Sequence, residues 1–136
     1  MKPWMGSAAA VVGGFLVTAM ASTVADALMH ATGIFPSTVQ AMSDPLFAVA
    51  ATYRAFFTVA GGFTTAHLAP DRPMRHAWIL AFIGLLAGLG GLVGYFTIGG
   101  GQLGPTWYAL SIPIEAIPCV WLGAKIAVRR RNDSLT

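Results

Sequence analysis

Three ionisable side chains, Asp26, Arg54 and Glu115, lie inside stretches that are otherwise apolar. An ionisable group in hydrocarbon costs on the order of 2.5–3.5 kcal/mol even on lenient insertion scales, so each should face a partner or a cavity. Two kinds of chemistry suit an acid, a guanidinium and a second acid. They can pair to fix how helices meet, or they can hold a proton or a small solute. A guanidinium has five donors in a planar fork and can bridge two carboxylates, which predicts Arg54 between Asp26 and Glu115. That trio carries one net negative charge, and His30, one turn from Asp26, could supply or hold the compensating proton.

The spacing extends each charge into a polar stripe. Thr18, Ser22, Asp26 and His30 recur every four residues and share one helix face. Arg54, Thr58, Gly61 or Gly62 and Thr65 follow at three and four, and Ser111, Glu115, Cys119 and Gly123 at four. Lipid would not tolerate such faces, so the stripes should point at one another along a polar seam. At 1.5 Å per residue Asp26 lies roughly 6 Å from the outer boundary, Arg54 about 12 Å and Glu115 about 15 Å. All three fall in the outer half of the bundle.

The elements that carry these stripes follow from composition and hydropathy. The chain of 136 residues is 56% hydrophobic and 10% charged, against about 25% charged in a soluble domain. Mean hydropathy is +0.69. The sixteen glycines suit close packing of membrane helices. Four apolar stretches, 5–30, 46–68, 76–98 and 106–128, each approach the ~20 residues that span a bilayer. The connections 31–45, 69–75 and 99–105 collect Pro36, Pro45, Pro70, Pro73 and Pro105. The fold class is therefore all-α, an integral membrane four-helix bundle in a single domain over residues 1–136.

Lys2, Arg72, Arg75, Lys125 and the run Arg129, Arg130 and Arg131 all fall at one end of such a bundle, whereas the first and third connections hold no Lys or Arg. The positive-inside rule then puts both termini in the cytoplasm. Trp4, Trp78 and Trp121 fall near the inner boundary, and Tyr95, Trp107 and Tyr108 near the outer one. A rival reading makes the first stretch a secretory signal cleaved at Ala25-Asp26-Ala27. The apolar run from Ala8 to Val24 exceeds the usual 7–15 residues of a signal core, so an uncleaved first span is expected. Cleavage would leave three spans with the C-terminus still inside.

The third span carries no charge between Arg75 and its end but contains two G-x-x-x-G patterns, Gly84 with Gly88 and Gly90 with Gly94. Flat glycine faces let backbones approach closely, either within the bundle or against another subunit. Gly6, Ala10 and Gly14 form a similar ridge on the first span. Pro113 and Pro118 bracket Glu115, and each removes a backbone hydrogen bond, which predicts a kink or unwound stretch there.

Other chemistries lack a basis. Cys119 is alone, which excludes an intrachain disulfide and a cysteine-only zinc site. A bis-histidine haem needs two ligands at one depth, and only the shallow pair His67 and His76 offers that, so no cofactor is expected. Gly99 to Gly104 has no following Gly-Lys-Ser/Thr and reads as an outer loop. The net charge of +3 resides beside helix ends with no aromatic interleaving, which argues against nucleic acid. No catalytic motif supports an enzyme.

The stretch from Gly61 to Ala77, Gly-Gly-Phe-Thr-Thr-Ala-His-Leu-Ala-Pro-Asp-Arg-Pro-Met-Arg-His-Ala, resembles a segment of an uncharacterised family of small four-span bacterial membrane proteins. Pro105-Thr-Trp-Tyr108 and the region of Pro118 to Gly123 fit the same resemblance. It implies a bacterial cytoplasmic membrane location and carries no catalytic residues. Small multidrug transporters share the size and span count, but Asp26 near the outer edge matches their first-span carboxylate poorly. The expected function is an accessory or assembly subunit of a membrane complex, partnered through the third span by other subunits or a second copy. The alternative is an oligomeric proton-coupled carrier or channel that uses Asp26, Arg54 and Glu115.

Overall fold

Proline marks where helices begin in this chain. The computed structural model describes residues 3–38, 40–99 and 103–135, which form α1 (Pro3–Ala31), α2 (Asp44–Leu68), α3 (Pro73–Ile98) and α4 (Thr106–Asp133). Pro45 sits in the first turn of α2, Pro73 opens α3 and Pro105 precedes α4. In a first turn the missing N–H would have had no partner anyway, and the ring presets the helical φ. The sequence reading placed Pro45 and Pro73 in the connections, so α2 and α3 begin two and three residues earlier than expected. Lys2 and the centre of the glycine loop, Gly100, Gly101 and Gln102, lie outside the described residues.

All four helices are long and apolar enough to cross a membrane. Even α2, with 25 residues, reaches roughly 37 Å at 1.5 Å per residue, beyond the ~30 Å of hydrocarbon. Large side chains turn outward: Phe56, Leu86 and Ile114 are each more than two-thirds exposed. An apolar exterior of this kind suits lipid and not water.

At the other extreme, α4 runs five residues past its expected end, through Arg129, Arg130 and Arg131. Arginine is a good helix former, and a cation in the last turn meets the negative end of the helix dipole. Arg131 also donates to the Ala69 carbonyl at 3.4 Å. The tight α2–α3 turn holds Arg72 in the left-handed region at φ 40°, an uncommon conformation for a non-glycine residue. Two donors occupy its carbonyl, Arg75 N at 2.9 Å and His76 Nδ1 at 3.2 Å.

Around the bundle the order is α1, α2, α4, α3. The chain packs α2 closely on both α1 and α4, and α3 on α4, whereas α1 and α3 meet only thinly. Small residues make the close crossings. A Cβ on Gly14 would lie 2.5 Å from the Gly61 carbonyl oxygen, and one on Gly61 would lie 2.6 Å from the Gly14 carbonyl oxygen. The same two positions abut Thr65 Oγ1 and Thr18 Oγ1. Gly14-x-x-x-Thr18 and Gly61-x-x-x-Thr65 thus form a reciprocal pair. Thr65 Oγ1, enclosed against Gly14, has no hydrogen-bond partner of its own.

Packing of α2 on α4 repeats the device. Gly62 lies against the Val120 backbone, and Gly123 against Val59 and Phe63. The main core, Ala66, Ala77, Leu80, Ala81, Val120, Ala124 and Ala127, fills the end that carries the arginines and is mostly alanine. Such close backbone approach supplies dispersion between helices, the force that holds them together where their surroundings are apolar.

The two glycine patterns of α3 separate. Gly84 and Gly88 face α4, opposite Ala116 and Pro113, whereas Gly90, Gly91 and Gly94 meet nothing within 4 Å. Helix α4 stays continuous through Pro113 and Pro118, so the unwound stretch expected near Glu115 is not formed. A Cβ on Gly88 would come within 2.8 Å of Pro113 Cα, so the glycine leaves room for the proline-bearing turn.

Candidate functional site: an interhelical cavity with three charges

The locked α1–α2 crossing sets where the charges meet. Asp26 lies roughly 18 Å along α1 from Gly14, and Arg54 about 10 Å along α2 from Gly61, at 1.5 Å per residue. The mismatch is closed by side-chain length, since Tyr53 and Arg54 are long and both extend toward the outer end. Tyr53 donates its hydroxyl to Asp26 Oδ1, and Arg54 Nη2 donates to Asp26 Oδ2. One carboxylate is thus gripped at both oxygens by consecutive residues of the next helix. Arg54 is 29% exposed and Asp26 32%, so the pair sits at the edge of the bundle interior.

Arg54 does not bridge two acids as its position in the sequence suggested. Glu115 makes no ion pair within 4 Å among the described residues. It lines, together with Arg54, a cavity of about 250 Å³ bounded by all four helices. Polar atoms in the wall come from Thr18, Ser22 and Thr58, and apolar surface from Leu80, Ile112 and Val120. Phe15 on α1 and Ala87 and Gly91 on α3 border the same space and are exposed on the bundle exterior. The cavity therefore opens sideways through the thin α1–α3 contact.

Hydroxyl direction matters here. Thr18 Oγ1 donates to the backbone carbonyls of Gly14 and Phe57 at 3.2 and 3.3 Å, and Thr58 Oγ1 donates to Arg54 O at 2.8 Å. Their protons are committed to the helices, which leaves only lone pairs to offer. Arg54 Nε is enclosed and has no hydrogen-bond partner.

His30 is not a fourth member of the cluster. Its Nδ1 donates to the Pro36 carbonyl at 2.9 Å and its ring meets Phe35 edge-on at 5.5 Å. The chain turns back at 32–36 and brings that carbonyl to the ring. Phe35, buried under the turn, stacks in turn on Tyr53 at 6.5 Å. The loops at this end of the bundle are tied down elsewhere by Tyr95, whose hydroxyl donates to Gly104 O at 3.0 Å and contacts Thr106 Oγ1 at 3.1 Å.

Tyr53 is the member that sequence reasoning passed over. Its signal was adjacency: a phenol beside an arginine in an apolar helix points about 100° round the helix and can reach the same partner. His67 stacks on Phe63 at 5.8 Å, and His76 is buried at the α2–α3 turn, so neither joins the site. No three His, Cys, Asp or Glu side chains stand together as a metal site among the described residues. Comparison with known proteins returns no match: no family model fits the chain, and no curated protein or solved structure is similar to it.

Proposed function

We propose that this chain is a multi-pass protein of the bacterial cytoplasmic membrane, with both termini inside, that binds and moves a small solute coupled to protons. One observation carries the reading: Glu115 lines a cavity and is left without an ion pair among the described residues, while Tyr53 and Arg54 both bond Asp26. Charges kept only to fix helix register gain from being paired, because an uncompensated charge in the interior is costly. An unpaired carboxylate beside an open volume suits exchange between a proton and a solute. The resemblance to small four-span bacterial membrane proteins belongs to this proposal and supplies its location.

Orientation rests on charge. Arg72, Arg75 and the α4 arginines lie at the end where the core is densest, with Lys125 over the Trp121 ring at 4.3 Å. The test of function is uptake of a panel of cationic, anionic and neutral small solutes into proteoliposomes under a proton gradient. Glu115→Gln should abolish uptake and leave the fold intact. Uptake of the same solute at the same rate by the variant would overturn the reading, as would no uptake of any solute.

A second reading, the accessory or assembly subunit, is favoured by the exposed Gly90, where an added Cβ would meet nothing within 4 Å. Under it, Gly90→Leu should release a partner that native mass spectrometry finds bound to the wild type. A monomer with nothing bound would remove the support for it.

A further inference from the structure

The cavity's wall says what kind of solute would fit, an inference that rests on the carrier reading above. Three charges border or adjoin it: Asp26 and Arg54, which cancel, and Glu115, which in its ionised form leaves one net negative charge. The rest of the wall carries no further charge. Thr18 and Thr58 have committed their protons to backbone carbonyls. Arg54 spends Nη2 on Asp26, and its Nε is enclosed by protein. Apart from the Ser22 hydroxyl, most of the remaining surface is hydrocarbon, from Phe15 and Leu80 to Ile112 and Val120.

An anion would meet the unpaired carboxylate of Glu115, with the charge of Arg54 already offset by Asp26. A neutral polar solute would lose its own water against a wall that is largely hydrocarbon. A small cation with an apolar body meets neither penalty. Its charge pairs with Glu115 in a place of low dielectric, and its body covers apolar wall. The route matches, because the mouth between α1 and α3 faces what the exposed Phe15 and Ala87 mark as lipid, where apolar cations concentrate. At about 250 Å³ the space lies below the ~300–1,000 Å³ of drug-sized sites, so it suits a compact headgroup.

We propose that the cavity binds a small alkylated ammonium, admitted from the bilayer between α1 and α3, with Glu115 as its counter-ion. Such a group could belong to a free amphiphilic amine or to a lipid headgroup. The experiment uses the full chain in phosphatidylglycerol nanodiscs, which contain no ammonium, with benzyltrimethylammonium as the probe. Its uncharged carbon isostere, neopentylbenzene, and the anion benzenesulfonate serve as comparisons.

The ammonium should bind saturably, and its isostere and the anion should bind at least about tenfold more weakly, the scale of losing one enclosed charge pair. Glu115→Gln should remove that preference. Ala87→Trp, which places a large ring at the mouth without touching a charge, should block binding if the glutamine variant does not fold. Repeating the titration in phosphatidylethanolamine discs separates the sources. Loss of probe binding there assigns the site to a lipid headgroup, retention assigns it to a free amine, and both support the ammonium chemistry. Preferred binding of benzenesulfonate, or equal binding of the ammonium and its isostere, overturns the ligand class while leaving a carrier in place. No saturable binding of any probe overturns the cavity as a site.

Discussion

Arg54 and Glu115 line one cavity, yet the guanidinium bonds the carboxylate of Asp26 and leaves Glu115 facing the open volume. That asymmetry divides three charges inside the bundle into two roles. Asp26, Arg54 and Tyr53 close α1 onto α2, and Glu115 is available for something else. The division has consequences for stability that can be measured separately from any transport.

The first concerns the paired acid. Asp26→Asn should destabilise the bundle by about 1–3 kcal/mol, between the values for exposed and for buried pairs, because Asp26 and Arg54 are about one-third exposed. Tyr53→Phe removes one interhelical hydrogen bond and should cost about 0.6 kcal/mol, at most roughly 1.7. A double-mutant cycle in bicelles, read by steric-trap unfolding, should show the two changes to be coupled. Simple additivity would mean that the two donors do not act on one carboxylate.

The second concerns glycine. Gly14→Ala and Gly61→Ala each place a Cβ within about 2.6 Å of a facing carbonyl oxygen on a neighbouring helix, where backbone and not a flexible tip must yield. Overpacking of this kind costs about 1–3 kcal/mol. Gly90→Ala and Gly94→Ala meet nothing and should stay within about 0.5 kcal/mol of wild type in the monomer. Equal effects at all four positions would contradict the assigned packing.

Much of this arrangement was legible in the sequence, and for a physical reason. Hydropathy and a period near four report directly on long apolar helices, so the four helices and the interruption of three of them by Asp26, Arg54 and Glu115 could be read without coordinates. What spacing does not report is which stripe turns toward which. Rotation of α2 by the Gly14–Gly61 crossing decides that Arg54 meets Asp26 and not Glu115. His30 shares a face with Asp26 by its spacing of four, but the following turn brings the Pro36 carbonyl to its Nδ1. Gly84 and Gly88 differ from Gly90 and Gly94 only by their direction around α3, which no pattern within one helix can reveal.

The third prediction concerns the loop that joins α3 to α4. Gly104 has φ +127° and Phe47 stands where its Cβ would be, so Gly104→Ala should be strained and crowded together. Tyr95→Phe removes the hydroxyl that reaches Gly104 O and Thr106 Oγ1. Both should speed amide exchange in residues 103–108 while leaving that of α2 at 61–66 unchanged. Uniform exchange across the chain in both variants would show that this end is not held by these contacts.

Topology gives the fourth. In a Cys119→Ser background, Ser37→Cys should react with an impermeant maleimide added outside intact cells, and Ser134→Cys only after the membrane is opened. The reverse pattern would invert the orientation drawn from the basic residues.

The central claim is that Glu115 serves the cavity and not the fold. Its most direct test joins two readings of one variant, Glu115→Gln, in the same proteoliposomes: unfolding free energy and proton-coupled uptake across the solute panel. The account expects stability within about 0.5 kcal/mol of wild type, since Glu115 holds no partner, together with loss of uptake. A variant destabilised as strongly as Asp26→Asn that still takes up solute at the wild-type rate would contradict it.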